Sequence, residues 1–85
     1  MVNKQFILKF LKDNKQKLKD KYKVNKIGLF GSFARNEETD KSDIDILVDM
    51  PSSFDNYFDL KYFLEKNFKR NVNLEKEKQL WLLNN

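Results

Sequence analysis

Asp43 and Asp45 lie two residues apart in the segment DIDILVD, residues 43–49. Residues spaced by two on a strand share a face, and their Cα atoms then lie roughly 6.6 Å apart. Carboxylates leaning together from that spacing can hold one or two hard cations, and a two-metal site needs ions about 3.5–4 Å apart. Like charges side by side resist joint ionisation, so the pair calls for a neutralising cation. The plainer account is an exposed strand face that happens to be acidic. Against it, Ile44, Ile46, Leu47 and Val48 mark the strand as central, and acids at the start of a central strand are better explained by a site.

Gly31-Ser32 is the second element of chemistry. It breaks the apolar pattern of VNKIGLF, residues 24–30, ahead of Phe33-Ala34-Arg35, which can make one helical turn. Glycine lets a backbone approach phosphate oxygens closely. The N–H groups of a turn entering a helix favour anions, and the serine hydroxyl adds a donor. Alone, Gly-Ser is an ordinary turn. The spacing joins it to the acids: residues 31–42 separate the end of one strand from the start of the next. If those strands are antiparallel neighbours, Gly31-Ser32 faces Asp43/Asp45, and phosphate cradle and metal ligands converge on one nucleoside triphosphate.

The elements that must position these residues follow from periodicity. Phe6, Ile7, Phe10, Leu11, Leu18 and Tyr22 recur at helical spacing and predict a helix over 3–22 with a core-facing seam. Residues 24–30 read as a strand and 36–42 as a polar loop. Residues 43–49 alternate, with Ile44, Ile46 and Val48 on one face and Asp43, Asp45, Leu47 and Asp49 on the other. Asp49 lies farther along and is expected to be exposed. Pro51 ends that strand. Ser52 or Ser53 would cap a helix over 54–69, whose aromatic face carries Phe54, Tyr57, Phe58, Phe63, Leu64 and Phe68. NVNLE, residues 71–75, is a third short strand, and a helix over 76–83 would place Trp81 and Leu82 on the core. The expectation is an α/β protein, one domain over 1–85. A small mixed sheet carries helices in the order α-β-α-β-α-β-α, counting the turn after Gly31.

Composition removes whole classes of function. There is no cysteine and no histidine, which excludes disulfides, thiolate chemistry and the usual general base. A bound metal must take oxygen ligands, which points to magnesium, manganese or calcium. Net charge is +4, unevenly spread: nine Lys and two Asp in residues 1–26 leave +7, and the remainder carries eight basic and eleven acidic residues. That basic stretch suggests nucleic acid or an acidic partner. Fifteen of the seventeen cations are Lys, however, and phosphate or base recognition favours arginine forks. A solvated lysine face is therefore preferred, and nucleic-acid binding ranks last. No apolar run approaches the roughly 20 residues of a membrane span, and no signal peptide is evident, so a soluble cytoplasmic protein is expected. A thin core and abundant aromatics suggest association into an oligomer.

The stretch GSFARNEETDKSDIDILV, residues 31–48, resembles the signature of the polymerase-beta-type nucleotidyltransferase superfamily, and in particular its minimal members. Their pattern is Gly-Ser-x-Ala-Arg-Gly followed by Ser-Asp-x-Asp-Leu-x-Val. Gly31, Ser32, Ala34, Arg35, Ser42, Asp43, Asp45 and Val48 match as they stand, and Ile46 replaces Leu conservatively. The resemblance covers nearly the whole chain. It implies the nucleotidyltransferase fold. Asp43 and Asp45 would bind magnesium and act in catalysis, Gly31 and Ser32 would contact phosphates, and Arg35 would approach a phosphate or brace the Asp loop by pairing with an acid. It further implies transfer of a nucleoside monophosphate, ATP being the favoured donor, to an acceptor such as a tyrosine on a toxin partner of HEPN type.

Two departures from the pattern matter. Asn36 stands where Gly follows the arginine, a change asparagine tolerates because it adopts left-handed backbone readily. Asn73, in Val72-Asn73-Leu74, occupies the place of the third carboxylate. An asparagine can offer a metal one neutral oxygen but cannot accept the proton of an attacking hydroxyl. Glu75 shares a strand face with Asn73, though a surface role suits it better. The alternative to an enzyme is therefore a weakened or inactive binding module that acts by contact with its partner.

Overall fold

A computed structural model of the chain describes residues 2–51 and 54–76. Its elements are α1 (Lys4–Asp13), α2 (Lys15–Tyr22), β1 (Lys26–Phe30), α3 (Gly31–Ala34), β2 (Ile44–Asp49), α4 (Phe54–Phe68) and β3 (Val72–Lys76). The sheet is mixed, in the order β1-β2-β3. β1 runs antiparallel to β2. β3 runs parallel to β2, which requires a crossover, and α4 supplies it.

The expected helix over 3–22 is two helices. Asn14 interrupts it with φ −104° and ψ 14°, and its side-chain amide donates to the Phe10 carbonyl at 2.8 Å. Asparagine offers the backbone an alternative partner in this way, which makes it a poor helix interior residue. Asn3 caps α1 by accepting the Phe6 N–H at 2.8 Å. Lys23, at φ 61°, ends α2, so the next strand begins at Lys26 rather than residue 24.

Alternation on the other strands is as expected. Ile44, Ile46 and Val48 of β2 and Val72 and Leu74 of β3 are buried. They meet Ile7, Leu11, Leu18, Leu60, Leu64 and Phe68 from the helices in one core, each large side chain contributing roughly 1.5–3 kcal/mol on full burial. The helices therefore cover one sheet face and leave Asp45, Leu47, Asp49, Asn73 and Glu75 on the other. The helical stripes are narrower than periodicity suggested. Phe6 and Phe58 are exposed, although Phe6 still meets the edge of Phe68 with ring centroids 6.2 Å apart. Asp49, expected exposed, is half-buried opposite Lys26.

α4 is fastened to β3 twice. The Tyr57 hydroxyl donates to the Leu74 carbonyl, and Glu65 accepts the Val72 N–H at 2.9 Å. The expected serine cap at 52–53 and the helix carrying Trp81 and Leu82 lie outside the described residues, while Lys76 belongs to β3. Among the described residues no helix is long and apolar enough to cross a membrane.

Candidate nucleotide site

Phe33 anchors the turn after β1. Its ring is fully buried, so Gly31 and Ser32 are carried at the end of the sheet by a core residue. Gly31 has φ +74°, a conformation that penalises any residue with a Cβ. A Cβ at Gly31 would overlap Oδ2 of Asp45 and lie 3.0 Å from its Cγ. The backbone of the glycine turn is thus pressed against the second acid of the Asp-x-Asp pair, and the antiparallel register, Phe30 opposite Asp45, puts it there.

The turn closes as a Schellman motif. The Glu37 N–H bonds the Ser32 carbonyl at 2.8 Å and the Asn36 N–H bonds the Phe33 carbonyl at 3.3 Å. Asn36, at the left-handed position, has φ 58°. The residue that departs from glycine adopts the backbone glycine would adopt.

Asp45 has Asn73 on its other side. The two are partners in the β2–β3 register, and the Asn73 amide donates to Asp45 Oδ1 at 3.0 Å. Asp43 precedes β2 by one residue and is exposed. Ser42 shapes the approach to it: its hydroxyl accepts the Thr39 N–H at 2.8 Å, and its own N–H bonds the Thr39 carbonyl at 3.1 Å. Glu75 lies opposite Leu47, two pairs beyond Asn73 and so on the same face, and is exposed. Among the described residues no group of three or more acids is placed to hold a metal ion. The donors around Asp45 are all oxygens or a reversible amide, and the Gly31 backbone comes closer to its carboxylate than a side chain would allow. This set suits a hard cation carried by a phosphate.

Arg35 pairs with Glu37 at 2.9 Å, both side chains being largely exposed. The loop ahead of Asp43 is held instead by Arg70. Its Nη1 lies 3.0 Å from the Thr39 carbonyl, 3.3 Å from that of Asp40 and 3.0 Å from that of Ser42. Its guanidinium carbon sits 5.4 Å from the Phe33 ring centroid. Sequence reasoning missed this residue; the available signal was that Arg70 is one of only two arginines among fifteen lysines. The lysines of α2 behave as a solvated face, with Lys17 Nζ 4.6 Å from the Phe63 ring centroid, where its stem packs on the core.

The family model of the nucleotidyltransferase domain matches residues 9–83. A Methanocaldococcus jannaschii protein bearing the provisional name protein adenylyltransferase is 45% identical over 78 residues, covering 87% of this chain and 78% of the relative. A second protein from that organism, with the same provisional name, is 52% identical over 56 residues, 64% of this chain and 57% of the relative. The protein adenylyltransferase MntA of Thermococcus cleftensis is 36% identical over 67 residues, 76% of this chain and 68% of the relative. No solved structure matches. With its mixed three-stranded sheet and its Gly-Ser turn set against Asp45, the chain belongs to the nucleotidyltransferase domain family.

Proposed function

We propose that the protein binds a magnesium-chelated nucleoside triphosphate, ATP foremost, and transfers its nucleoside monophosphate to a hydroxyl on a partner protein in the cytoplasm. The observation that carries this reading is the contact between the Gly31 backbone and the Asp45 carboxylate. A glycine turn serves phosphate oxygens, a carboxylate serves a cation, and only a metal-bearing phosphate wants both in one place. Asp43 and Asp45 would hold the magnesium, which neutralises phosphate charge when bound. Gly31 and Ser32 would contact the phosphates, with Arg35 at the exposed end of the same turn.

In the reaction the acceptor oxygen forms a bond to the α-phosphorus as the bond to the β-phosphate oxygen breaks. Pyrophosphate leaves, and the hydroxyl proton passes to solvent, because Asn73 cannot take it. The names of the relatives support AMP as the group and a protein as the acceptor. A tyrosine on a HEPN-type toxin partner follows from the resemblance to minimal nucleotidyltransferases. The aromatics exposed on α4, Phe58 at 56% and Tyr62 at 67%, suit protein contact.

Incubation with labelled ATP, magnesium and the neighbouring gene product tests the reading. Label on the partner is expected; its absence with wild type and with Asn73→Asp alike sinks transfer. A second reading is favoured by one observation, the Asn73 amide donating to Asp45: a binding module that restrains its partner by contact. An Asp43→Ala/Asp45→Ala double variant that folds and still neutralises the partner would establish it.

A further inference from the structure

We propose that Arg70 is a positioning residue for the nucleotide site, holding the Asp43 loop in register with the glycine turn; the proposal rests on the nucleotide reading above. Residues 37–43 contain no regular structure. One backbone bond closes the loop on itself, from the Ser42 N–H to the Thr39 carbonyl. Three of its carbonyls, those of Thr39, Asp40 and Ser42, instead converge on a single guanidinium nitrogen. Converging carbonyl dipoles beside Asp40 and Asp43 build negative potential, and the loop keeps this shape only with a cation at its centre. Hydrogen bonds from a charged donor are about twice as strong as neutral ones.

The placement of Arg70 makes it more than a loop staple. It follows Lys69, whose φ of 55° turns the chain out of α4, and it stands two residues before β3, which carries Asn73. Its guanidinium also sits over Phe33, the buried residue of the turn that begins with Gly31. One side chain therefore touches the loop that leads to Asp43 and the turn that begins with Gly31, from a place just ahead of the strand carrying Asn73 and at sequence separations of 28 to 31 residues from the loop carbonyls. A lysine could not reproduce this. It lacks the planar group that lies over an aromatic ring, and its reach is shorter by one bond, about 1.3 Å.

The test pairs a loop readout with a binding readout on Arg70→Met and Arg70→Lys. NMR amide exchange reports the Ser42 N–H in the unliganded protein, titration calorimetry reports Mg-ATP affinity, and thermal denaturation reports folding. Arg70→Met is expected to stay folded, to speed Ser42 exchange at least tenfold and to weaken Mg-ATP about tenfold, as for loss of a charge-assisted bond. Arg70→Lys should fall between wild type and Arg70→Met in both readouts. A folded Arg70→Met with unchanged Ser42 exchange overturns the brace. Faster exchange with unchanged affinity overturns its role in the site. Should Arg70→Met fail to fold, Arg70→Lys decides: wild-type values in both measurements overturn the proposal. If wild type binds no Mg-ATP while Ser42 exchange still rises in the variants, the nucleotide reading falls and the brace stands.

Discussion

Asp45 has unlike neighbours on its two sides. Toward β1 it meets the bare backbone of Gly31, held at a positive φ by the buried Phe33. Toward β3 it meets Asn73, which donates an amide hydrogen to it at 3.0 Å. The first neighbour brings backbone up to Oδ2, closer than any side chain would allow. The second occupies the other oxygen and offers no base. On the proposed reading the glycine side would hold the nucleotide, whereas the asparagine side lacks the group that would take a proton during transfer. Holding and transferring can thus be probed from opposite sides of β2, at Gly31 and at Asn73, although both residues act on the same carboxylate.

The largest change is expected from restoring the acid. Asn73→Asp should raise transfer from labelled ATP by roughly 10²- to 10⁴-fold, the usual worth of a general base. The same substitution sets two carboxylates opposite each other in the β2–β3 register. Without a cation it should cost up to about 1 kcal/mol of stability, as like charges across a sheet do. Added magnesium should recover the loss, so that the melting temperature of the variant rises with magnesium more than that of wild type. Unchanged turnover together with a magnesium-independent melting temperature would separate Asn73 from the site.

Gly31→Ala attacks the opposite side. The new methyl meets Asp45 Oδ2 and forces a left-handed alanine. The backbone penalty alone is about 1–2 kcal/mol, and Asp45 must also swing away. Mg-ATP affinity should fall about 100-fold, equal to roughly 2.7 kcal/mol, by titration of a variant shown to be folded. Wild-type affinity would mean that the close approach of turn and acid has no part in binding.

Much of this asymmetry was legible in the sequence, because it rests on local rules. Strand alternation put Asp45 on the face away from the helices and Ile44 and Ile46 in the core, and the twelve residues from 31 to 42 brought the turn to Asp45, one of the two expected acids. Asn73 was found through the family resemblance, which sets an acid between the residues that Val72 and Leu74 match. What escaped depends on tertiary contacts. Arg70 reaches carbonyls about thirty residues away, and carbonyls have no sequence signature. The break at Asn14 was hidden because apolar spacing continues across it to Leu18, which is buried like Leu11. The aromatic stripe overstated burial, since the small core leaves Phe6 and Phe58 at 46% and 56% exposure.

The smallest expected effects come from Asn36, and they bear on whether the turn itself, rather than its chemistry, sets the glycine side. Asn36 is exposed, and its one conformational duty is the left-handed backbone that closes the Schellman bonds to Ser32 and Phe33. Glycine adopts that backbone without a Cβ penalty but gains entropy in the unfolded chain. These terms oppose each other, so Asn36→Gly should leave stability within about 0.5 kcal/mol of wild type. Alanine meets the penalty without asparagine's tolerance, and Asn36→Ala should lose about 1 kcal/mol. Neither substitution adds a group facing Asp45, so Mg-ATP affinity in the folded protein should change less than about threefold, under 1 kcal/mol. Chemical denaturation and titration measure the two quantities independently. A loss of affinity in Asn36→Ala as large as that in Gly31→Ala would show that turn geometry, not the missing side chain at Gly31, controls the site.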